Sequence, residues 1–137
     1  MDNFQNKYKW QKLTNQRTQI LEFLQTNLNH PTAEEIHQAI RPYLARLSLS
    51  TIYRNLRSLE SEGVVSSIKT PDRKIHFEHA GADHAHFYCL FCRKLIQLPL
   101  AEIIDIKKRL AIKNYQVQKV DIIFEGICPD CVLKKLE

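Results

Sequence analysis

The chain has 137 residues, 44% of them hydrophobic, which is enough for one domain or two very small ones. No apolar run approaches the ~18–20 residues that cross a bilayer, so we expect no membrane partner. Most of the net charge of +5 lies in residues 1–74, which hold 11 Lys/Arg against 7 Asp/Glu. A basic first half favours an anionic partner for that half.

Two helices are predicted at the start of the chain. The first begins at Thr14 as its N-cap and has an apolar stripe within Ile20–Leu24. The second follows Thr32, which forms a capping box with Glu35 three residues later. The preceding residues 1–12 fit either an additional helix or a basic arm, and the sequence leaves both open.

A third helix is predicted over Ser50–Glu60 and ends before Gly63. Ile52, Leu56 and Leu59 are spaced at i, i+4 and i+7, which predicts a buried stripe. Another face combines hydroxyl, aromatic and arginine side chains, which suits a helix that enters the major groove of DNA. The alternative is a surface helix whose arginines are only solvated. The residues of this face are Ser50, Thr51, Tyr53, Arg54 and Arg57.

A hairpin with basic residues at its tip is predicted next. Val64–Ile68 and Lys74–Phe77 are its strands, and Thr70–Arg73 is its turn. Three helices followed by such a hairpin, or wing, indicate a winged helix-turn-helix domain over residues 1–79. Residues 80–137 then form a small second α/β domain, so the predicted fold class is α+β. In that domain we expect strands near Phe87–Leu98 and Tyr115–Phe124 around a helix near Leu100–Leu110.

The four cysteines of the chain form two Cys-x-x-Cys pairs, Cys89/Cys92 and Cys128/Cys131. Two such pairs that meet make a tetrahedral thiolate site for structural zinc. Disulfides are the alternative in an oxidising compartment, but residues 1–12 lack an apolar export segment, so we expect a cytoplasmic protein. A thioredoxin-type redox pair would need a single Cys-x-x-Cys. A catalytic zinc is not expected, because four thiolates leave no open coordination position.

The six histidines are concentrated around the second helix and between the wing and Cys89. In a strand, His84 and His86 point to the same side, as a metal requires, and Asp83 adds an oxygen donor. If His30 and His76 approach this pair, one regulatory ion can bind all of them. The two remaining histidines, which we expect to be bystanders, are His37 and His79.

At this point the motifs identify a family. The chain resembles the ferric uptake regulator family of bacterial metal- and peroxide-responsive repressors, including its peroxide- and zinc-sensing branches. The resemblance extends from about Thr14 to Cys131. It rests on TNQR at 14–17, HPTAEEI at 30–36, STIYRNL at 50–56, DHAHFYCLFC at 83–92 and GICPDC at 126–131.

The resemblance implies a metal-dependent repressor, not an enzyme, that binds a palindromic operator in double-stranded DNA as a homodimer. The second domain would dimerise, and the Cys₄ zinc would be structural. The implied ligands of the regulatory metal are His30, His76, His84 and His86, with Asp83 as a further candidate. The predicted DNA contacts are Arg17, Ser50, Thr51, Tyr53, Arg54 and Arg57.

Two departures from the family pattern concern the sensed metal. Gln97 stands where members often carry Asp or Glu, and His76 stands where many carry an acidic ligand. Imidazole suits Fe²⁺ and Zn²⁺, whereas Mn²⁺ prefers oxygen, so iron or zinc is expected before manganese. Peroxide sensing through bound iron remains an open alternative. A different function, a zinc-ribbon module for nucleic-acid or protein interaction, would need no regulatory metal.

Overall fold

A computed structural model describes residues 4–27, 29–44, 46–81, 84–99 and 101–135, with side chains from residue 15 onward. The chain divides into two units, Met1–Ala80 and Gly81–Glu137. Among the described helices, none combines the length and hydrophobicity needed to span a membrane.

The first unit contains three helices followed by a two-stranded antiparallel sheet. Its core includes Ile20, Ile36 and Leu56, each fully buried. The sheet pairs Val65 with His79 at one end and Lys69 with Ile75 at the other, as predicted for a wing. The elements are α1 Phe4–Thr26, α2 Ala33–Ile40, α3 Leu49–Ser61, β1 Val65–Lys69 and β2 Ile75–His79.

The ends of α2 and α3 follow from local capping. The Thr32 hydroxyl accepts a hydrogen bond from the Glu35 backbone N–H at 3.3 Å, which confirms the predicted cap of α2. The N-cap of α3 is Ser48, whose hydroxyl accepts from the Thr51 N–H at 3.2 Å. After α3, Gly63 adopts a φ of +76°, a conformation that favours glycine and ends the helix.

The predicted start of the first helix is wrong. Thr14 lies inside α1, which begins at Phe4. The segment from residue 4 to residue 26 contains neither proline nor glycine, so nothing in it interrupts a helix. Of the two alternatives for residues 1–12, the helical one is therefore observed from residue 4 onward.

The second unit has a three-stranded sheet of order β4-β3-β5, in which β3 pairs antiparallel with β4 and parallel with β5. The parallel pair requires a crossover connection, which contains α4. The elements are β3 Ala85–Cys89, β4 Leu95–Leu98, α4 Glu102–Ile112, β5 Ile123–Gly126 and α5 Pro129–Lys135.

Two features of this unit differ from the sequence-based expectation. The strand expected over Tyr115–Phe124 is observed only as β5, which overlaps it at Ile123 and Phe124 and pairs with His86 to Cys89 of β3. The helix α5 was not predicted at all. It is short, and the proline at its first position is pre-organised for a helix start.

Candidate metal sites and DNA-binding surface

The four cysteines meet in the second unit as the sequence predicts, with all Sγ atoms within 4.8 Å of one another. Sγ of Cys92 and Sγ of Cys128 are 3.8 Å apart. Two sulfurs bound tetrahedrally to one zinc at ~2.3 Å would be about 3.8 Å apart, so this spacing fits the ion. We call these four residues the cysteine cluster.

Backbone geometry brings the two pairs together. The first pair spans a tight turn after β3, in which the Arg93 N–H donates to the Cys89 carbonyl at 2.8 Å and Arg93 has a φ of +63°. The second pair flanks the start of α5. The Leu90 N–H donates to the Gly126 carbonyl at 2.7 Å and joins the two segments. A Cβ on Gly126 would lie 3.2 Å from Cζ of Phe87, so a larger residue would require the Phe87 ring to shift by a few tenths of an ångström.

Thiol ionisation in this cluster also fits a bound cation. Burial opposes ionisation of Cys89, but backbone N–H groups of Cys128, Cys92 and Phe91 donate to its sulfur and lower its pKa to about 6. Burial and the neighbouring thiols raise the pKa of Cys131 to about 12. All four sulfurs can therefore be thiolates only if a cation lies among them and offsets their negative charge. A structural Zn²⁺ would be such a cation.

A second group of possible ligands lies in the first unit. Nε2 of His30 is 2.9 Å from Oε2 of Glu78, and both side chains are largely removed from solvent. His76 lies two residues before Glu78 on β2, so the two side chains share one face of the strand. Glu78 was missed at the sequence level, although this spacing of two was its signal.

Hydrogen bonding fixes the tautomer of His76. Its Nδ1 is 2.7 Å from the His30 carbonyl oxygen, which can only accept, so Nδ1 carries the proton. Nε2 then has a free lone pair, the form that binds a metal. That nitrogen is buried and has no hydrogen-bond partner among the described residues.

His30 has an unusual backbone conformation. Its φ is +54°, in the left-handed region that non-glycine residues rarely adopt. Pairing of the following segment with β2 holds it there, because the Phe77 N–H donates to the Pro31 carbonyl at 2.8 Å and Thr32 bridges to His76. Strained residues fixed in this way cluster at functional sites.

In the second unit the Nε2 atoms of His84 and His86 are 3.1 Å apart, which is hydrogen-bond distance, so one ring donates to the other. The two were predicted to lie in one strand, but His84 immediately precedes β3. Two imidazole nitrogens bound to one ion at ~2.1 Å would lie about 3.0–3.4 Å apart. Gln97 is opposite His86 in the antiparallel β3–β4 pair, so it projects from the same face. Asp83, the other predicted donor, lies outside the described residues.

The two histidines expected to be bystanders have other neighbours. Nε2 of His37 is 2.7 Å from the Leu47 carbonyl oxygen and so holds the connection between α2 and α3. Nε2 of His79 is 3.4 Å from Nε2 of Gln25 in α1.

The predicted DNA-binding face of α3 is available. Ser50, Arg54 and Arg57 are exposed, whereas Thr51 and Tyr53 are half-buried. The stripe of Ile52, Leu56 and Leu59 is fully buried, and of the predicted face Tyr53 also packs partly against the core.

Arg17 is placed differently from the other predicted contacts. Its guanidinium donates to the Ser58 hydroxyl at 3.1 Å and to the Glu62 carboxylate, and so ties α1 to the end of α3. The hydrogen bond from Arg17 lowers the pKa of Glu62. These contacts stabilise the position of α3, and a direct DNA contact by Arg17 stays a prediction.

The family model described as the ferric uptake regulator family matches residues 9–125. The chain belongs to this family. It is therefore a member of a family of transcriptional regulators, as predicted, and not an enzyme.

Individual relatives agree with the assignment. The peroxide-responsive repressor PerR of Staphylococcus saprophyticus is 31% identical over 121 residues, which cover 88% of this chain and 82% of that protein. The crystal structure of a Campylobacter jejuni peroxide stress regulator aligns with a TM-score of 0.82 and 26% identity, over 96% of this chain and 100% of that one. The Helicobacter pylori ferric uptake regulator Fur, described as having three functional metal binding sites, aligns with a TM-score of 0.72 and 28% identity, over 86% and 80%. The predicted fold class, α+β, is confirmed.

Proposed function

We propose that this family member is a metal-dependent transcriptional repressor that binds a palindromic operator as a homodimer. The observation that carries the proposal is the convergence of the His84 and His86 Nε2 atoms at 3.1 Å, a spacing that suits two ligands of one ion. His30 and His76, predicted as ligands from the sequence, are kept in the proposal, with Glu78 added to them. The ion would favour the DNA-binding state through its higher affinity for that state.

The donor types narrow the choice of metal. Imidazole suits Fe²⁺ and Zn²⁺, and the Glu78 carboxylate supplies a charged oxygen that also suits Mn²⁺. Gln97, opposite His86, offers only a neutral amide where an acidic residue would strengthen binding of harder ions. We therefore propose Fe²⁺ or Zn²⁺ as the sensed metal. Peroxide sensing through bound iron is included because two of the named relatives are a peroxide-responsive repressor and a peroxide stress regulator.

A homodimer is supported by the second unit. Strand β5 is at an edge of its sheet, and its Phe124 side chain is 46% exposed. Edge strands can pair with a second copy about a two-fold axis. An apolar groove of about 650 Å³ lies in the same unit, lined by Phe87, Ile96, Leu98, Ile127, Pro129, Val132 and Leu133.

The proposal is tested by DNA binding with and without metal. Protein purified without oxygen and before any chelator is titrated onto duplex DNA from upstream of its own gene, and onto a shuffled duplex of equal composition. We expect the metallated protein to prefer the upstream duplex by at least ~10³-fold. Removal of the second metal should abolish most of that preference. A metallated protein that binds both duplexes equally would refute the proposed function.

Arg57→Ala should weaken binding to both duplexes by a similar factor. Arg57 is exposed on α3, where a guanidinium can neutralise one phosphate. In a plot of the logarithm of the binding constant against the logarithm of the salt concentration, the slope should therefore decrease in magnitude by about one. The measurement is a salt series by fluorescence anisotropy, with Arg109→Ala in α4 as the charge-matched control. An unchanged salt dependence in Arg57→Ala would remove this residue from the interface.

A further inference from the structure

One polar contact joins the second helix to the predicted DNA-binding face of α3. The Tyr53 hydroxyl donates to Oε1 of Glu34 in the first turn of α2, at 2.7 Å. The rest of the Tyr53 ring packs against the core of the first unit. The ring is therefore fixed at its base by packing and at its tip by a charge-assisted hydrogen bond.

The ionisation of the pair agrees with this contact. The hydrogen bond from Tyr53 is the main cause that lowers the pKa of Glu34, and the nearby Lys74 contributes to the same effect. The hydrogen bond to Glu34 in turn raises the pKa of Tyr53. At neutral pH the pair is thus a carboxylate and a neutral phenol, with the phenol proton directed to Glu34.

This arrangement limits what Tyr53 can do on DNA. A phosphate oxygen can only accept, so it would have to displace Glu34 from the Tyr53 hydroxyl and approach a carboxylate of like charge. An apolar group such as a thymine methyl meets neither obstacle, because it contacts the ring and not the hydroxyl.

We propose that Glu34 is a positioning residue for DNA recognition, which holds Tyr53 so that its ring contacts a base and its hydroxyl does not bind a phosphate. This inference rests on the proposed function. Glu34 itself contacts no base; it raises specificity by fixing the ring, and its charge weakens binding to any sequence.

Two substitutions at Glu34 separate the hydrogen bond from the charge. Glu34→Gln keeps an oxygen that accepts from the Tyr53 hydroxyl, and Glu34→Ala removes it. Both should bind a shuffled duplex slightly more tightly, because one negative charge is lost. Only Glu34→Ala should lose preference for the upstream duplex, by about five- to tenfold, whereas Glu34→Gln stays within about twofold of the wild type. Gln38→Ala, an exposed change on the same helix, is the control.

A base-level measurement distinguishes positioning from a general structural effect. Thymines of the upstream duplex are replaced one at a time by deoxyuridine, which removes only the methyl group. In the wild type at least one replacement should weaken binding, and in Glu34→Ala the same replacement should have a smaller effect. Circular dichroism and thermal unfolding check that both variants are folded.

The outcomes separate this inference from the proposed function. If the wild type prefers its upstream duplex but Glu34→Ala does so equally, the inference is refuted and the proposed function stands. If Glu34→Gln loses as much preference as Glu34→Ala, the charge and not the hydrogen bond is responsible, which also refutes the inference. If the metallated wild type shows no preference, the proposed function fails and the inference fails with it.

Discussion

Replacement of Cys128 by serine is expected to abolish zinc binding at the cysteine cluster and unfold the second unit. One buried cluster of its core consists of Cys89, Cys128 and Cys131, with Phe87 and Ile96 packed against it. The ligands are thus themselves part of the core, and the other buried hydrophobic residues among those the structure describes there are few and include Ala85, Tyr88, Leu95 and Ile103. Structural zinc contributes about 10–16 kcal/mol in small zinc-binding peptides, comparable to the about 5–15 kcal/mol that stabilises a whole domain.

The experiment measures zinc per chain by elemental analysis, together with far-UV circular dichroism and denaturant unfolding. We expect about one zinc fewer than in the wild type and loss of the transition that belongs to the second unit, while the first unit stays folded. Lys134→Ser, an exposed change in α5, is the control and should lie within ~0.5 kcal/mol of the wild type. A folded second unit without zinc would contradict the structural role of the cluster.

The largest functional effect is expected for the double variant His84→Ala/His86→Ala. With both imidazoles removed, affinity for the second metal should fall by about 10²-fold or more, because two ligands of one ion are lost. The zinc of the cysteine cluster should remain. DNA affinity should then no longer respond to added Fe²⁺ or Zn²⁺, and it should equal that of the protein without its second metal.

His86 is only 6% exposed, so its loss also leaves a cavity, and a single variant is needed to separate folding from function. The single variant His84→Ala keeps the buried His86 ring, and it should show most of the same defect in metal response. The matched control is His79→Ala, which lies on β2 beside the Gln25 side chain. A retained metal response in both variants would remove His84 and His86 from the regulatory site. A DNA affinity that responds to added metal in neither the wild type nor the variants would favour a zinc-ribbon module without a sensing role.

Features encoded by short sequence spacing were predicted well. The two Cys-x-x-Cys pairs correctly predicted that the four cysteines lie close together. A thiolate pair on one turn supplies only two ligands, and a second pair is needed to complete a tetrahedral site. The buried stripe of α3 followed from its periodicity, and its observed range Leu49–Ser61 differs from the prediction by one residue at each end. Its cap, Ser48, was overlooked because Ser50 and Thr51 follow so closely that the local pattern fits more than one start.

Features that depend on distant residues were not predicted. The ion pair of Arg17 with Glu62 joins residues 45 positions apart, and no local pattern specifies such a partner. Apolar and polar side chains alternate over residues 115–118 and again over 119–122, yet strand pairing with β3 begins only at Ile123, next to the hydrogen bond from the His86 N–H to the Ile122 carbonyl. Glu78 is different, because its spacing of two from His76 is a local pattern that places both side chains on one face of β2.

The order of the cysteines along the chain has a consequence for biosynthesis. Every element of the first unit has been made when Ala80 leaves the ribosome, whereas the cysteine cluster lacks its last ligand until Cys131 appears. At ~5–20 residues per second, the intervening roughly fifty residues take about 3–10 s to synthesise. During that interval the nascent chain carries Cys89 and Cys92 as an incomplete set of thiol ligands. We therefore expect tetrahedral coordination of zinc by all four cysteines only after Cys131 has been made.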